Sequence, residues 1–538
     1  MGKTSQTTLL TGLAPYTGTW TFTQAAHLLR RSTFGPTKAE IVAATNQGLA
    51  ATLAALLPPN PTAPVPPLKH TDAADPTVEY GQSWVTAPVP TGVNTQSYRN
   101  QSLRAWTIER QLEDTTVTEK MTLFWHNHFG VNYNGDPRAI YAFNALLRQY
   151  ATGDFRELVK QVTISPAMLV FLNGNQSTAA SPNENYGREL LELFTVGKGP
   201  QIGEGDYSNY TEQDVRALAR ALTGWRTRYF NSPTEGQLPE GYFQASRHDS
   251  TSKTLSYHFN NQVIENAGEQ EYLNVIDIVL AQQATSLHLC RKLYRWFVYY
   301  NISAEVEASI INPLAELLLA NNYNLRPVLE NLLGSQHFFD VLNQGPLIKN
   351  PLDYLGSVVR PFGYAHLTPE PSLTARYLLY LQFYGRNTTA GMEYLLPPSV
   401  SGWEAYYQAP GFNRIWINSS TLQARTQLVN QFTANGFTAA TIRFRFDYIG
   451  WIALLENPLD PNALIEEIVA IFLPQPLLPA QLTALKDFLI PGLPDFEWTD
   501  EYGLYLTNPS NNMLRTSLEN KLKALFRAIF NLAEFHLS

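Results

Sequence analysis

Along most of the chain apolar residues recur every three to four positions, the spacing that puts them on one face of an α-helix. In the stretch from Tyr186 to Phe194, for example, Tyr186, Leu190, Leu193 and Phe194 form such a face, and Asn185, Glu189 and Glu192 form a polar stripe beside it. The same period predicts helices over about 25–31, 41–55, 97–113, 116–129, 137–150, 154–163, 182–196 and 211–223. It resumes at 271–281, 284–300, 304–320, 325–335, 350–360, 371–385, 418–434, 461–472, 479–488 and 515–534.

Boundary signals agree with the period. Thr37-Lys38-Ala39-Glu40 reads as a capping box, Ser181-Pro182-Asn183-Glu184 as an N-cap with Pro at N1, and Thr211-Glu212-Gln213-Asp214 as a helix start with acids in its first turn. Gly197 and Gly224 sit where C′ glycines end helices. From 57 to 93 Pro and polar residues dominate, which predicts a long surface loop anchored by Tyr80 and Trp84. Between 225 and 261 short alternations among Gly, Pro, Ser and Asn allow a small hairpin. The expected fold is therefore all-α, a large multi-helix assembly with long Pro/Gly-rich loops and at most a small β-hairpin. Its divisions are a polar segment 1–20, a main helical domain 21–361 and a C-terminal helical lobe 362–538 packed on the same body.

Composition narrows the chemistry. A formal net charge of −8 without a dense basic run argues against nucleic-acid binding, and the single cysteine, Cys290, rules out an intrachain disulfide and every Cys-based zinc, haem or iron–sulfur pattern. No nucleotide signature stands out. No apolar stretch reaches the length of a membrane span, and no signal peptide is visible at the start of the sequence.

Polar strings supply the candidate site. Trp125-His126-Asn127-His128-Phe129 ends an apolar helix, and two imidazoles there suit a metal ion only if the helix unwinds, because residues two apart on a regular helix point away from one another. The bland alternative is a core histidine beside a partly exposed one. Glu189 and Glu192, three apart, have the spacing to chelate a cation or pair an acid with a base, while Glu184, Arg188 and Glu192 equally form an ordinary ion-pair ladder. Asp214 has a sufficient role as an N-terminal charge, and Arg220 is a partner for a buried acid. Arg247-His248-Asp249 with Lys253 places an imidazole, a carboxylate and an amine on a loop. On helix 284–300, His288, Arg291, Lys292 and Arg295 make a basic face suited to an anionic group or to the acidic 184–192 helix. His27 with Arg30-Arg31 poses the same choice.

Taken in order, Ala26-His27-Leu28-Leu29-Arg30-Arg31, Phe124-Trp125-His126-Asn127-His128-Phe129 and Asn185-Tyr186-Gly187-Arg188-Glu189-Leu190-Leu191-Glu192-Leu193-Phe194-Thr195 resemble signatures of the bacterial domain of unknown function 1800 family. Tyr210-Thr211-Glu212 with Asp214-Val215, Ala219-Arg220-Ala221-Leu222-Thr223-Gly224-Trp225, His248-Asp249 with Lys253, Arg291-Lys292-Leu293, Gly402-Trp403 and Trp416-Ile417-Asn418-Ser419 continue the likeness over about 21–535. Gly187 departs from the Ala common in relatives. The resemblance implies a bacterial, often exported protein, encoded beside an alkaline-phosphatase-like family that is a candidate partner. It carries no settled reaction.

The resulting expectation is an enzyme whose site forms where helices 116–129, 182–196 and 211–223 meet under the 226–261 loop. In its sharpest form His126, His128 and one of Glu189, Asp214, His248 or Asp249 hold a divalent ion, Zn, Mn or Fe, for hydrolysis of a polar substrate. Glu189, Glu192, Asp214 and Arg188 are the candidate catalytic groups, and His27, Arg31, Arg220, Lys253 and Arg291 the anion-binding or structural ion-pair groups. Two alternatives stand beside it: a non-catalytic helical scaffold with a buried ion-pair network, and a metal-free carboxylate-pair hydrolase.

Overall fold

A computed structural model describes residues 12–71, 75–133, 135–363, 367–368 and 372–538. The expected polar segment 1–20 lies outside them up to residue 11, and two gaps at 364–366 and 369–371 adjoin the expected start of the C-terminal lobe.

Helices dominate. The N-terminal part runs α1 (Phe22–Ser32), α2 (Lys38–Leu56), α3 (Gln96–Glu113), α4 (Thr118–Phe129), α5 (Pro137–Gln149), α6 (Phe155–Ile164) and α7 (Pro166–Phe171). It continues with α8 (Glu184–Glu189), α9 (Glu212–Ala221), α10 (Glu271–Leu280) and α11 (Gln283–Phe297). Among the later helices, Leu373–Thr389 packs along α3, and Asn512–Phe530 carries Phe526 and Phe530 into an aromatic cluster around Phe362 and Phe472.

The caps follow the sequence with one shift. Thr37 with Glu40 and Thr211 with Asp214 form reciprocal capping boxes, each satisfying donors that a helix start leaves unpaired. At the third start the cap is Asn183, whose side chain accepts from the Asn185 amide, so α8 begins two residues later than Ser181-Pro182 predicts. Gly197 and Gly224 take left-handed φ values of 75° and 91° after their helices, as their positions require.

β structure is minor but exceeds one hairpin. Trp225–Arg228 pairs antiparallel with Glu240–Phe243 inside the region whose alternation allows a hairpin, and Lys253–Thr254 pairs with Val263–Ile264, which lies just past its end. Gln201–Gly203 pairs with Asp206–Tyr207, and a three-stranded ladder joins Leu367–Thr368, Ile442–Phe446 and Phe437–Ala439. Most of these strands are two or three residues long, too short to show a period, whereas Ile442–Phe446 does alternate, Ile-Arg-Phe-Arg-Phe, a strand signal that the helical reading of the C-terminal third passes over. In the 57–93 loop Trp84 is fully buried and its indole donates to Ser102, whereas Tyr80 is exposed and only its hydroxyl touches Thr374.

The end of α4 docks on the 400–403 turn. Gly130, at φ 56°, caps the helix, and a Cβ there would fall 2.1 Å from the Val400 carbonyl oxygen, a clash that only glycine avoids. Asn127 accepts from the Trp403 amide at 2.9 Å. This contact sets the histidine-bearing end of α4 against the later part of the chain.

Candidate functional site

Most of the polar strings are spent on one another. Asp214 is fully buried; its two oxygens accept from the Thr211 amide and hydroxyl and from the Ser256 amide and hydroxyl, at 2.6–3.0 Å. With both oxygens engaged it ties the 211 and 256 loops to the start of α9, a structural use that accounts for its burial. Arg188 bonds Glu212 through two nitrogens at 2.6 and 2.8 Å and reaches Glu184 at 3.1 Å. Glu192 accepts from the Tyr210 hydroxyl at 2.8 Å and lies 3.2 Å from the Lys198 amine. Glu189 is half-buried, and its carboxyl is raised by burial and by the neighbouring Glu192 charge.

The loop residues form a second network. His248 faces the Thr223 carbonyl at 2.9 Å and Glu271 at 3.0 Å, and Lys253 closes on the same Glu271 carboxylate; all three side chains are nearly or fully inaccessible. Arg220 bonds Asp249 at 2.7 Å. Burial alone would raise the Asp249 carboxyl, but hydrogen bonds from Arg220 and Thr251 outweigh it and hold the group well below its usual range. Arg291 pairs with Glu307 on the protein surface side of α11. His27 is buried, with Nε2 3.1 Å from the Phe338 carbonyl oxygen.

The expected metal set is not brought together. α4 stays helical through Phe129, so the two imidazoles diverge: His126 packs against the rings of Phe143, Tyr394 and Trp403, and burial lowers it to about 4. His128 turns toward α11, while His248 and Asp249 are held by Glu271 and Arg220. Among the described residues no three His, Cys, Asp or Glu side chains form a group that would hold a metal ion. These residues do not fit the divalent ion expected of them.

What His128 does join is a hollow of about 130 Å³ between α4, α11 and the 401–407 segment, lined also by His288, Lys292, Arg295, Trp296 and Tyr406. Its geometry begins with the end of the 182–196 helix. After Glu189 the helix widens into a π-turn, Leu190–Phe194, and the carbonyls of its last residues lack helical partners. A carbonyl can only accept, so His288 Nε2–H donates to Leu193 O at 3.1 Å and His128 Nε2–H donates to Phe194 O at 3.0 Å. Lys292 Nζ donates to the same Leu193 carbonyl at 2.9 Å and to His128 Nδ1 at 3.1 Å.

Burial dominates the titration of all three. It lowers His288 to about 3, carries His128 well below the usual imidazole range, and with the Arg295 charge brings Lys292 down to about 7. A cationic face on α11 was legible in the sequence. Its use was not, since His288 and Lys292 meet main-chain carbonyls of the π-turn rather than the carboxylates of the acidic helix. Glu271, which holds His248 and Lys253, carries no sequence signal apart from a position in the first turn of α10.

The fold and this hollow define a mainly helical protein with a buried amine–imidazole cluster at the end of a π-turn. The chain belongs to the family described as Protein of unknown function (DUF1800), whose model matches residues 27–535. Comparisons with curated proteins and with solved structures find no match.

Proposed function

We propose that the chain is an acid–base enzyme that acts on a polar substrate in the His128–His288–Lys292 hollow, with Lys292 as the base. The observation that supports it is the amine's setting. Nζ lies 2.9 Å from Leu193 O and 3.1 Å from His128 Nδ1 on the wall of a hollow of about 130 Å³, where burial and the Arg295 charge bring it down to about 7. A neutral amine has two N–H bonds, both used here, and the lone pair takes the remaining tetrahedral direction. An amine poised near neutrality is suited to proton transfer at physiological pH.

Ester hydrolysis asks for the fewest parts. The Lys292 lone pair takes a proton from water as the water oxygen bonds to the ester carbonyl carbon. The ammonium then returns that proton to the alkoxide as the carbon–oxygen bond breaks, so the amine ends as it began. His128 orients Nζ without relaying protons, because its own N–H is held by Phe194 O.

Competitive acylation of the folded protein across pH reads each lysine separately. Lys292 is expected to titrate near 7, and a value above about 10, the ordinary lysine range, ends this reading. In an ester panel, hydrolysis by the parent protein is expected to vanish in folded Lys292→Met; activity that survives the substitution counts against Lys292 as base.

A second reading, a non-catalytic helical scaffold, is favoured by one observation: His128, His288 and Lys292 all cap carbonyls at a helix C-terminus, where cationic and N–H-bearing side chains stabilise the end electrostatically. Under it, Lys292→Met lowers stability and leaves no activity to lose.

A further inference from the structure

Behind the Trp296, Tyr406 and Arg295 wall lies a smaller hollow of about 40 Å³ that the reading above does not use. α1 contributes Arg30 and Arg31 and α4 contributes Lys120; Asp353 and Asn413 come from later in the chain. By volume it has room for a few waters or one small ion, and not for a sugar or base ring.

Counted over side chains its charge is unbalanced, although Ser538, the last residue of the sequence, also lines it. Arg30, Arg31, Lys120 and Arg295 line it, and Asp353 is the one acidic side chain among the described lining residues. Asp353 is already committed, one oxygen to the Lys120 amine and the other to the Asn350 amide at 2.7 Å. Arg425, buried and lowered only to about 10, adds positive charge that Asp353 also feels. Guanidinium groups stay protonated through the neutral range even where burial presses them down, as it does Arg30 and Arg31, to about 9.

Its hydrogen bonding is unfinished as well. Arg31 is 3% exposed and spends one nitrogen on the Asn343 carbonyl at 2.8 Å, leaving Nε and Nη1 without a partner. Arg30 Nε and both amide atoms of buried Asn413 are likewise unpartnered. Buried charged donors left unpaired destabilise a fold, and several of them around one hollow mark the place where an acceptor belongs.

We propose that this hollow binds a tetrahedral oxyanion, phosphate or sulfate, free or as the ester group of a larger molecule. Arg31 leaves Nε and Nη1, donors on different edges of its guanidinium, unpartnered, and Arg30, Lys120 and Asn413 supply donors from other elements, so the donors come from several directions, an arrangement that favours a tetrahedral over a planar anion. The site is independent of Lys292, which is none of its donors. A phosphate ester seated here would place its remainder toward the shared Trp296–Tyr406 wall.

The test is thermal unfolding and calorimetric titration of the full chain with inorganic phosphate, sulfate, phenyl phosphate and acetate, at constant ionic strength set by chloride. Saturable binding of at least one tetrahedral anion is expected, tighter than acetate, and weakened about tenfold or more in Arg31→Gln, the loss expected for a charge-assisted hydrogen bond. Asn413→Ala, which removes an unpaired group and so is expected to fold, should weaken it too. Arg291→Gln, altering a pair with Glu307, should not. Inorganic phosphate binding as well as phenyl phosphate indicates a free-ion site, and preference for the ester a substrate handle; either supports the proposal. No saturable binding, acetate binding more tightly, or equal binding by both hollow variants (an adventitious ion only) overturns it. Retained binding in Lys292→Met keeps this result separate from the fate of the amine reading.

Discussion

Glu271 shows how a single buried charge is held. Its carboxylate lies between His248 and Lys253, fully buried with Lys253, and gains a further contact from the Ala267 amide at 3.3 Å. Removing one partner of such a set strands the other charge, which costs about 3–5 kcal/mol. Glu271→Gln is therefore expected to destabilise by that order in denaturant unfolding, and the double change Glu271→Gln with Lys253→Met to recover part of the loss. If Glu271→Gln moves the midpoint by less than about 1 kcal/mol, the network is not the buried charge pair described. At this scale the sequence was informative about which residue types gather and silent about who pairs with whom. Asp214 was legible as a cap, and Arg220 as a partner for an acid. His126, by contrast, is a metal candidate in the sequence and meets three aromatic rings in the structure, because the sequence says that the imidazoles diverge if the helix stays regular and does not say whether it unwinds or what each ring meets.

Among elements, the π-turn at Leu190–Phe194 and the glycine after it decide where the amine and imidazoles sit. Gly197 adopts φ 75°, and a Cβ there would lie 2.7 Å from His288 Nδ1. Gly197→Ala thus meets both backbone strain and a collision with the cavity wall; a loss of more than about 1 kcal/mol is expected from the backbone alone. The displaced His288 should also shift the acylation midpoint of Lys292. Destabilisation with an unchanged Lys292 midpoint would separate the glycine from the cluster. The periodicity of 182–196 identified a helix there, yet a π-turn differs from an α-turn by one residue per loop and leaves the apolar pattern nearly intact. The carbonyls it releases are backbone atoms, which a sequence of side chains does not advertise. The short helices Pro166–Phe171 and Tyr448–Ile452 escaped for a related reason, being too short to display a period.

For the whole molecule, buried neutral histidines set the response to acid. His126 and His70 are lowered to about 4 and His288 and His536 to about 3, each chiefly by burial, and His27 and His128 lie well below their usual range for the same cause. Between those values and the unfolded value of 6.5 the unfolded chain binds more protons than the native one, so stability rises with pH across that window and is lost as pH falls through it. Denaturant midpoints measured from pH 7.5 down to about 4 should fall steeply below about 6.5, and His288→Asn should flatten the lower part of the curve. A midpoint unchanged across that range would mean these imidazoles are solvated. Carboxylates such as Asp249, held low by their partners, lose their contribution only at lower pH.

No helix among the described residues is long and apolar enough to cross a membrane. By itself the sequence determined the helical class, most helix positions, several caps and membership of the family, because a 3.6-residue period and a cap are local signals that neighbouring side chains carry. Only the tertiary structure decided that the polar strings divide into separate networks. It also brought His128, His288 and Lys292 together on a π-turn, and collected Arg30, Arg31 and Lys120 around one committed Asp353. Those contacts join residues tens to hundreds of positions apart, and their energies depend on burial and direction, which exist only once the helices have packed.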